Sequence, residues 1–403
     1  MILAGVSLSG PAHAQTPHAV LYASAGAELT QYDVDASDAS LVKKGSVRLP
    51  ANVQYAWQHP SRKYLYVAWS DGGAAAAAVG STAPPSGKNH GVSAFRIDPG
   101  SGALQPIGNS ISIAARPIHL SVDITGTHVI VAYNIPSSIT VHQLNADGTI
   151  GAMVKQPAIL DTGIYAHQVR VNPSNKSVFL VTRGNGPTKT KPEDRGGVKV
   201  FNYADGVLKN LASIAPNGGV NFQPRHLDFH PSQPWVFLSL ERQTQLQVYR
   251  LTKDGSLDAS PLFTKDSVAN PAKKAPLQNS GTLHVHPNGK FVYQATRSAG
   301  SDANGKAILG GGENSIAVWA INPQSGEPTL LQNADTHGAE PRTFALDPSA
   351  RMLVVGNQTA VSGVPANLAA FRVRTDGKLD FVRKYDVDTS GGSLFWMGIV
   401  PLP

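Results

Sequence analysis

Six times along the chain one pattern returns: an apolar strand, a turn anchor ending in Pro or Thr, then a second apolar strand. The copies read QYAWQHPSRKYLYVAWS, IHLSVDITGTHVIVAYN, HQVRVNPSNKSVFLVTR, RHLDFHPSQPWVFLSLE, GTLHVHPNGKFVYQATR and RTFALDPSARMLVVGNQ. Their anchors are His59, Asp123, Asn172, His230, His286 and Asp347, spaced 49 to 64 residues apart. A fixed period of that size is the mark of a propeller or a comparable array, because one such unit cannot bury its apolar face alone. Residues at equal offsets from the anchors therefore occupy equivalent places, and unusual chemistry at one offset can be picked out.

Each unit continues past its second strand. Third strands read GVSAFRID, SSITVHQL, GGVKVFNY, TQLQVYRL, NSIAVWAI and NLAAFRVR. Each is followed by a turn rich in Asp, Asn, Pro and Gly, then by a short fourth segment: ALQPIG, TIGAM, VLKNL, SLDAS, PTLLQ or KLDFV. Short alternating runs with Gly-bearing turns are strands, and four per unit is a propeller blade. Six units run from about Asn52 to Tyr385. Residues 19–49 carry a second, third and fourth strand without a first, and SLFWMGIVPL near the C-terminus is a lone apolar strand. Together they predict a seventh blade closed by both ends, which removes an aggregation-prone edge. The expected class is all-β, a seven-bladed β-propeller of four-stranded blades, with residues 15–403 as one domain. Insertions at 71–91, 184–197 and 298–313 all fall between second and third strands, so they should share one rim of the disc.

Bulk composition fits this. Charged residues make up only 15% of the 403, while 39 Gly and 29 Pro serve many turns. The net charge of +7 favours an anionic small molecule. No basic run or aromatic-basic interleaving supports nucleic-acid binding, and no apolar stretch reaches the length of a membrane span. With no Cys, disulfides and thiol chemistry are excluded. No His- or Asp-rich spacing predicts a metal; no cofactor is expected, and nothing demands more than a monomer. The first residues, MILAGVSLSGPAHAQTP, look like the tail of a signal peptide, with Ala12-His13-Ala14 as the cleavage signal and no positive n-region. Residues 1–14 are thus expected to be a leader remnant and the protein periplasmic or secreted; without a leader, the cytoplasm is expected.

Five residues before the anchors lie Gln54, Ile118, His167, Arg225, Gly281 and Arg342; eleven after lie Ser70, Asn134, Arg183, Glu241, Arg297 and Gln358. The two strands are antiparallel, so both sets should meet at one rim around the central channel. That ring gathers His167, Arg183, Arg225, Glu241, Arg297 and Arg342. Arg forks suit carboxylates or phosphates, would keep Glu241 ionised and could stabilise an oxyanion. His167, titrating near neutrality, suits proton transfer. His59, His230 and His286 are expected to hydrogen-bond their own turns. His119 and His226 lie one step from the ring and should point away, although His226 could buttress Arg225.

The repeats RHLDFHPSQPWVFLSLERQTQLQVYRL and LHVHPNGKFVYQATR resemble the lactonase family of seven-bladed propellers, which includes the propeller-type 6-phosphogluconolactonases and the fungal carboxy-muconate lactonising enzymes. The resemblance covers nearly all of the chain after residue 18. It implies that Arg225 in QPRH, Glu241 in LSLE, Arg297 in QATR and His167 in YAHQV carry the family's site. Tyr165 replaces a family His, and Leu240 and Thr296 replace family Asn residues. The implied activity is metal-independent hydrolysis of a sugar-derived or carboxylated lactone, placing the protein in carbohydrate metabolism. Catalysis is assigned to His167, Glu241, Arg225 and Arg297, with Arg183, Arg342, His226 and Gln54 binding the substrate. Either Glu241 or His167 is the base. A muconate-type cycloisomerase and a non-catalytic binding propeller are the alternatives.

Overall fold

Runs of β-branched and aromatic residues broken by Gly-bearing turns can bury their faces only by pairing into sheets. In the computed structural model, which describes residues 18–72, 87–301, 307–361 and 363–403, they form seven four-stranded antiparallel sheets, one of which carries an extra short strand. The leader reading of residues 1–14 lies outside the described residues. No helix among them is long and apolar enough to cross a membrane.

Blade one spans Asn52–Ser112, blade two Pro117–Met153, blade three Ala166–Ile214 and blade four Pro224–Asp266. Blade five spans Gln278–Asp335 and blade six Pro341–Asp386. Blade seven joins Leu394–Pro401, as its innermost strand, to Ala19–Ala25, Glu28–Asp35 and Ser40–Arg48. The closure expected from the leftover strands is therefore present. One strand differs from expectation. The fourth strand of blade four is Phe263–Asp266, not SLDAS, because that segment folds into a turn in which Leu257 bridges only Leu251.

The core is divided into slabs between neighbouring blades. Tyr66, Val129 and Tyr133 fill the slab between blades one and two, and Trp235, Val292 and Trp319 the slab between four and five. Val20, Tyr22, Val53 and Trp396 fill the slab that closes the ring. Buried tyrosines stitch three of the slabs: Tyr66 donates to the Gly148 carbonyl at 3.0 Å, Tyr293 to Gly377 at 2.9 Å, and Tyr22 to Gly102. Each acceptor is a turn glycine with positive φ in the next blade. The anchor histidines serve the turns as expected. Ser232 and Gln233 donate backbone N–H to His230 Nδ1, while His230 Nε2 pairs with the Gly289 carbonyl across the blade boundary.

One irregularity repeats. In every blade the innermost strand carries a β-bulge against the second strand, and in blades one to six it falls at the offset five residues before the anchor. The bulge falls on Gln54, Ile118, His167, Arg225, Gly281–Thr282, Arg342 and Phe395–Trp396. A bulge sets two residues opposite one and re-aims the side chains around it.

Deleting residues 394–403 should remove the innermost strand of blade seven and leave Ala19–Ala25 as an open edge. The expected outcome is loss of soluble protein by size-exclusion chromatography. A soluble, cooperatively folding truncation would show that closure is not what holds the ring.

Candidate functional site

Arg225 sits on the bulge of blade four, Arg183 follows the second strand of blade three and Arg297 lies within that of blade five; all three converge on Glu241, which follows the second strand of blade four. Arg183 Nη1 donates to Glu241 Oε2 at 2.8 Å; Arg225 Nε and Arg297 Nη2 donate to Oε1 at 3.0 and 2.6 Å. The Glu241 backbone is pinned as well: its N–H donates to the Gln223 carbonyl and its carbonyl accepts from Ser280 N–H. Burial alone would raise the Glu241 carboxyl, but the three guanidiniums outweigh it and hold the group far below the usual carboxylate range. Glu241 is therefore a permanent anion. Burial and the adjacent Arg297 push Arg225 down to about 10. Arg225 Nη1 and Arg297 Nε are buried without an acceptor among the described residues.

The floor of this cup is made of aromatic rings. His167 and His226 lie 5.3 Å apart between centroids, His226 and His119 6.0 Å, and His119 and Tyr55 3.8 Å. The expectation that His119 and His226 point away is thus corrected: the bulge breaks the two-residue alternation, so successive side chains face the channel. The expectation that His167 titrates near neutrality is also corrected. Burial, and after it the cations Arg225, Arg342 and Arg183, hold His167 well below the ordinary imidazole value. It is neutral at physiological pH, and its Nδ1 has no partner.

The remaining ring residues separate into two roles. Arg342 lies on the Phe395 face, 3.7 Å from the centroid. Gln54 is 1% exposed; its Oε1 accepts from Arg116 Nε and Nη2 at 2.9 and 2.6 Å, and its Nε2 donates to the Asn52 carbonyl. Gln54 therefore positions Arg116 instead of facing a ligand. The sequence reading missed Arg116 and Glu340 and gave Tyr165 no role; the three share one offset, seven residues before the anchor. Tyr165 and Glu340 both adopt left-handed backbone, with φ of 58° and 56°. Tyr165 stacks under Arg183 at 4.0 Å, and Glu340 accepts from Arg297 Nη1 at 2.8 Å. A further cleft, of about 240 Å³, opens near the anchors at the opposite end of the inner strands. Its Arg170 is already paired with Asp228 at 3.0 Å, so the charged ring is the stronger candidate site.

With this geometry in place, the comparisons are decisive about kinship. Residues 18–393 match the family described as lactonase, 7-bladed beta-propeller. This chain belongs to that family. Among its relatives, a 6-phosphogluconolactonase of Bacillus subtilis (strain 168) is 28% identical over 277 residues, covering 66% of this chain and 70% of that protein. One from Serratia proteamaculans (strain 568) is 22% identical over 364 residues, covering 88% and 90%. The fold is shared with a periplasmic gluconolactonase of Pseudomonas aeruginosa, at TM-score 0.69 and 22% identity over 96% of this chain and 99% of that one. A Lactobacillus plantarum protein gives TM-score 0.71 and 21% identity over 96% and 99%.

Two outcomes follow for stability. Replacing Glu241 by Gln should destabilise the protein by about 3–5 kcal/mol in urea unfolding, because three buried guanidiniums lose their counter-ion. Arg342→Met, which removes a buried cation with no carboxylate partner among the described residues, should be at least as stable as wild type. Equal midpoints for Glu241→Gln and wild type would contradict the counter-ion role. As to pH, burial first and nearby cations second lower His119, His167 and His226. The folded protein keeps these three neutral, while the unfolded chain takes up their protons below about pH 6.5. Stability should therefore be level above that pH and fall as pH drops from about 6.5 to 5, by up to about 1.4 kcal/mol per histidine per pH unit. Thermal scans that stay flat across that window would refute it.

Proposed function

We propose that the protein hydrolyses a sugar-derived lactone at the mouth of the channel. The observation that carries this reading is a neutral, unpartnered imidazole, His167, set beside guanidiniums whose geometry is fixed by one ionised carboxylate. The names of its relatives, 6-phosphogluconolactonase, support the same chemistry.

His167 would take a proton from water as the water oxygen attacks the lactone carbonyl carbon. The carbonyl oxygen becomes an oxyanion, for which Arg225 Nη1 and Arg297 Nε are donors without acceptors. As the tetrahedral intermediate collapses, the ring C–O bond breaks. The imidazolium returns its proton to the leaving alkoxide, giving the hydroxy acid. Glu241 accepts from three guanidiniums and holds the arginines in place, whereas His167 Nδ1 has no partner among the described residues and is free to accept from water. We further propose export, from the leader-like N-terminus, which would favour an unphosphorylated lactone, sugar phosphates being mostly cytoplasmic.

The test is acid release from a panel of lactones in H₂¹⁸O, with mass analysis of the product. Hydrolysis places one labelled oxygen in the open-chain acid, whereas cycloisomerisation places none. His167→Asn should lower kcat by about 10²- to 10⁴-fold. Because His167 is already neutral, kcat/KM should stay level between about pH 6 and 8, without an inflection at the ordinary imidazole value. A wild-type inflection near pH 6.5 that disappears in His167→Asn would disprove the assignment of a depressed base, and an unlabelled product would disprove hydrolysis.

A further inference from the structure

The repeat that gathers the mouth also builds the opposite end of the channel. Past the bulge the two-residue alternation of the innermost strands resumes. Residues three before the anchors, such as Ala56, Leu227 and Phe344, are at most 3% exposed and pack into the slabs. Two before the anchors lie Trp57, Ser121, Arg170, Asp228, His284 and Ala345. All but Ser121 are half-buried, as side chains around the end of a channel should be. This second ring differs in chemistry from the first: an indole, a hydroxyl, an imidazole and one pair of opposite charges.

The two charges cancel. Arg170 Nη2 donates to Asp228 Oδ1 at 3.0 Å, and Nη1 to the Leu227 carbonyl at 3.4 Å. Both Asp228 oxygens are engaged: Oδ1 also accepts from Phe229 N–H and Oδ2 from Val285 N–H, each at 3.0 Å, and His284 Nδ1 stands 3.8 Å from Oδ2. The guanidinium lies 5.1 Å from the Trp57 ring centroid and 5.8 Å from that of Phe229. Trp57, Ser121 and Arg170 line the cleft of about 240 Å³, so three blades contribute to one concavity. Ser121 Oγ is buried, with no hydrogen-bond partner among the described residues. A buried hydroxyl left unpaired costs about 1–3 kcal/mol, so it marks a position where a hydrogen-bonding group belongs.

We infer that this cleft is a second binding site, for a neutral polyhydroxylated ring the size of one pyranose, at the end of the channel opposite the arginine mouth. A ligand hydroxyl both donates and accepts, which is what Ser121 Oγ calls for. The N–H groups of Arg170 that Asp228 and Leu227 leave unused serve as donors to a neighbouring hydroxyl, and the indole of Trp57 offers an apolar surface to the C–H face of the ring. Charge does not select the ligand: the Arg170 cation already has its counter-ion, and Asp228 is too fully engaged to hold an ammonium. The volume lies below the roughly 300 Å³ at which pockets for drug-sized molecules begin, which suits a single ring. The cleft shares no residue with the mouth, so it would hold its ligand whether or not the mouth hydrolyses lactones.

The test is a saturation-transfer NMR titration of the full chain with D-glucose, D-galactose, N-acetyl-D-glucosamine and methyl D-glucoside. Wild type should bind at least one of them with Kd of about 1 mM or tighter. Ser121→Val, which removes the hydroxyl and narrows the cleft, and Trp57→Phe, which removes the indole, should each weaken binding by about tenfold or more. Melting temperatures report whether the variants fold, and Ser121→Val alone decides if Trp57→Phe does not. His167→Asn, at the mouth, should leave binding unchanged. Binding of methyl D-glucoside would uphold a site that takes the end of a glycan, and its exclusion one restricted to the free sugar. No neutral sugar bound by wild type, or binding unchanged in Ser121→Val, would overturn the site. Binding lost in His167→Asn but kept in Ser121→Val would place the sugar at the mouth and overturn it as well. D-glucuronate, a pyranose bearing a carboxylate, should displace the bound sugar no better than D-glucose does; clearly tighter displacement would overturn the neutral class.

Discussion

A single buried carboxylate governs the mouth of this propeller. Five guanidiniums gather at the mouth: Arg183, Arg225 and Arg297 on Glu241, and Arg116, just before blade two, and Arg342 on Phe395. Their mutual repulsion would force the blades apart or the side chains outward without an anion among them. Glu241 supplies it, accepting from three arginines contributed by three blades. The same contacts that make it an effective tie make it a poor base. Its oxygens are already engaged by three guanidiniums. In the hydrolysis proposed above, the acid-base role passes to His167, kept neutral by burial and by nearby arginines.

The bulge makes this arrangement possible. A regular strand would send alternate residues into the slab between blades and leave one per turn of alternation for the channel. In blade four the extra residue lets the innermost strand present two successive side chains inward, a charged one and an imidazole. Blade four gives Arg225 and His226 in this way. The rest of the cup comes from residues just outside the strands: Glu241 and Arg183 follow second strands, and Arg116, Tyr165 and Glu340 precede innermost ones.

Much of this was legible in the sequence because repetition supplies its own coordinate system. The anchors, the four-strand blades and the closing of blade seven follow from the period and from unpaired strands at the two ends. Equal offsets brought His167, Arg183, Arg225, Glu241, Arg297 and Arg342 to one ring. The bulge was not legible, since one extra residue in an apolar strand leaves no mark of its own; His119 and His226 were misdirected for that reason. Arg116, Tyr165 and Glu340 could have been found by the same ruler moved two residues earlier, where a cation, an aromatic and a carboxylate replace the polar residues of other blades. The depressed basicity of His167 could not be read from its neighbours in sequence, because the cations that lower it arrive from blades three, four and six.

The protonation state of Glu241 decides the account. Protein labelled with ¹³C at the glutamate δ-carboxyl, compared with Glu241→Gln to assign the signal, can be followed by NMR from about pH 8 down to about pH 5, the span in which a working general base titrates. The account predicts a Glu241 resonance at the ionised position throughout, with no midpoint in that range. A titration of Glu241 within it would mean that the carboxylate is free to take a proton, and the division of labour between Glu241 and His167 would be wrong.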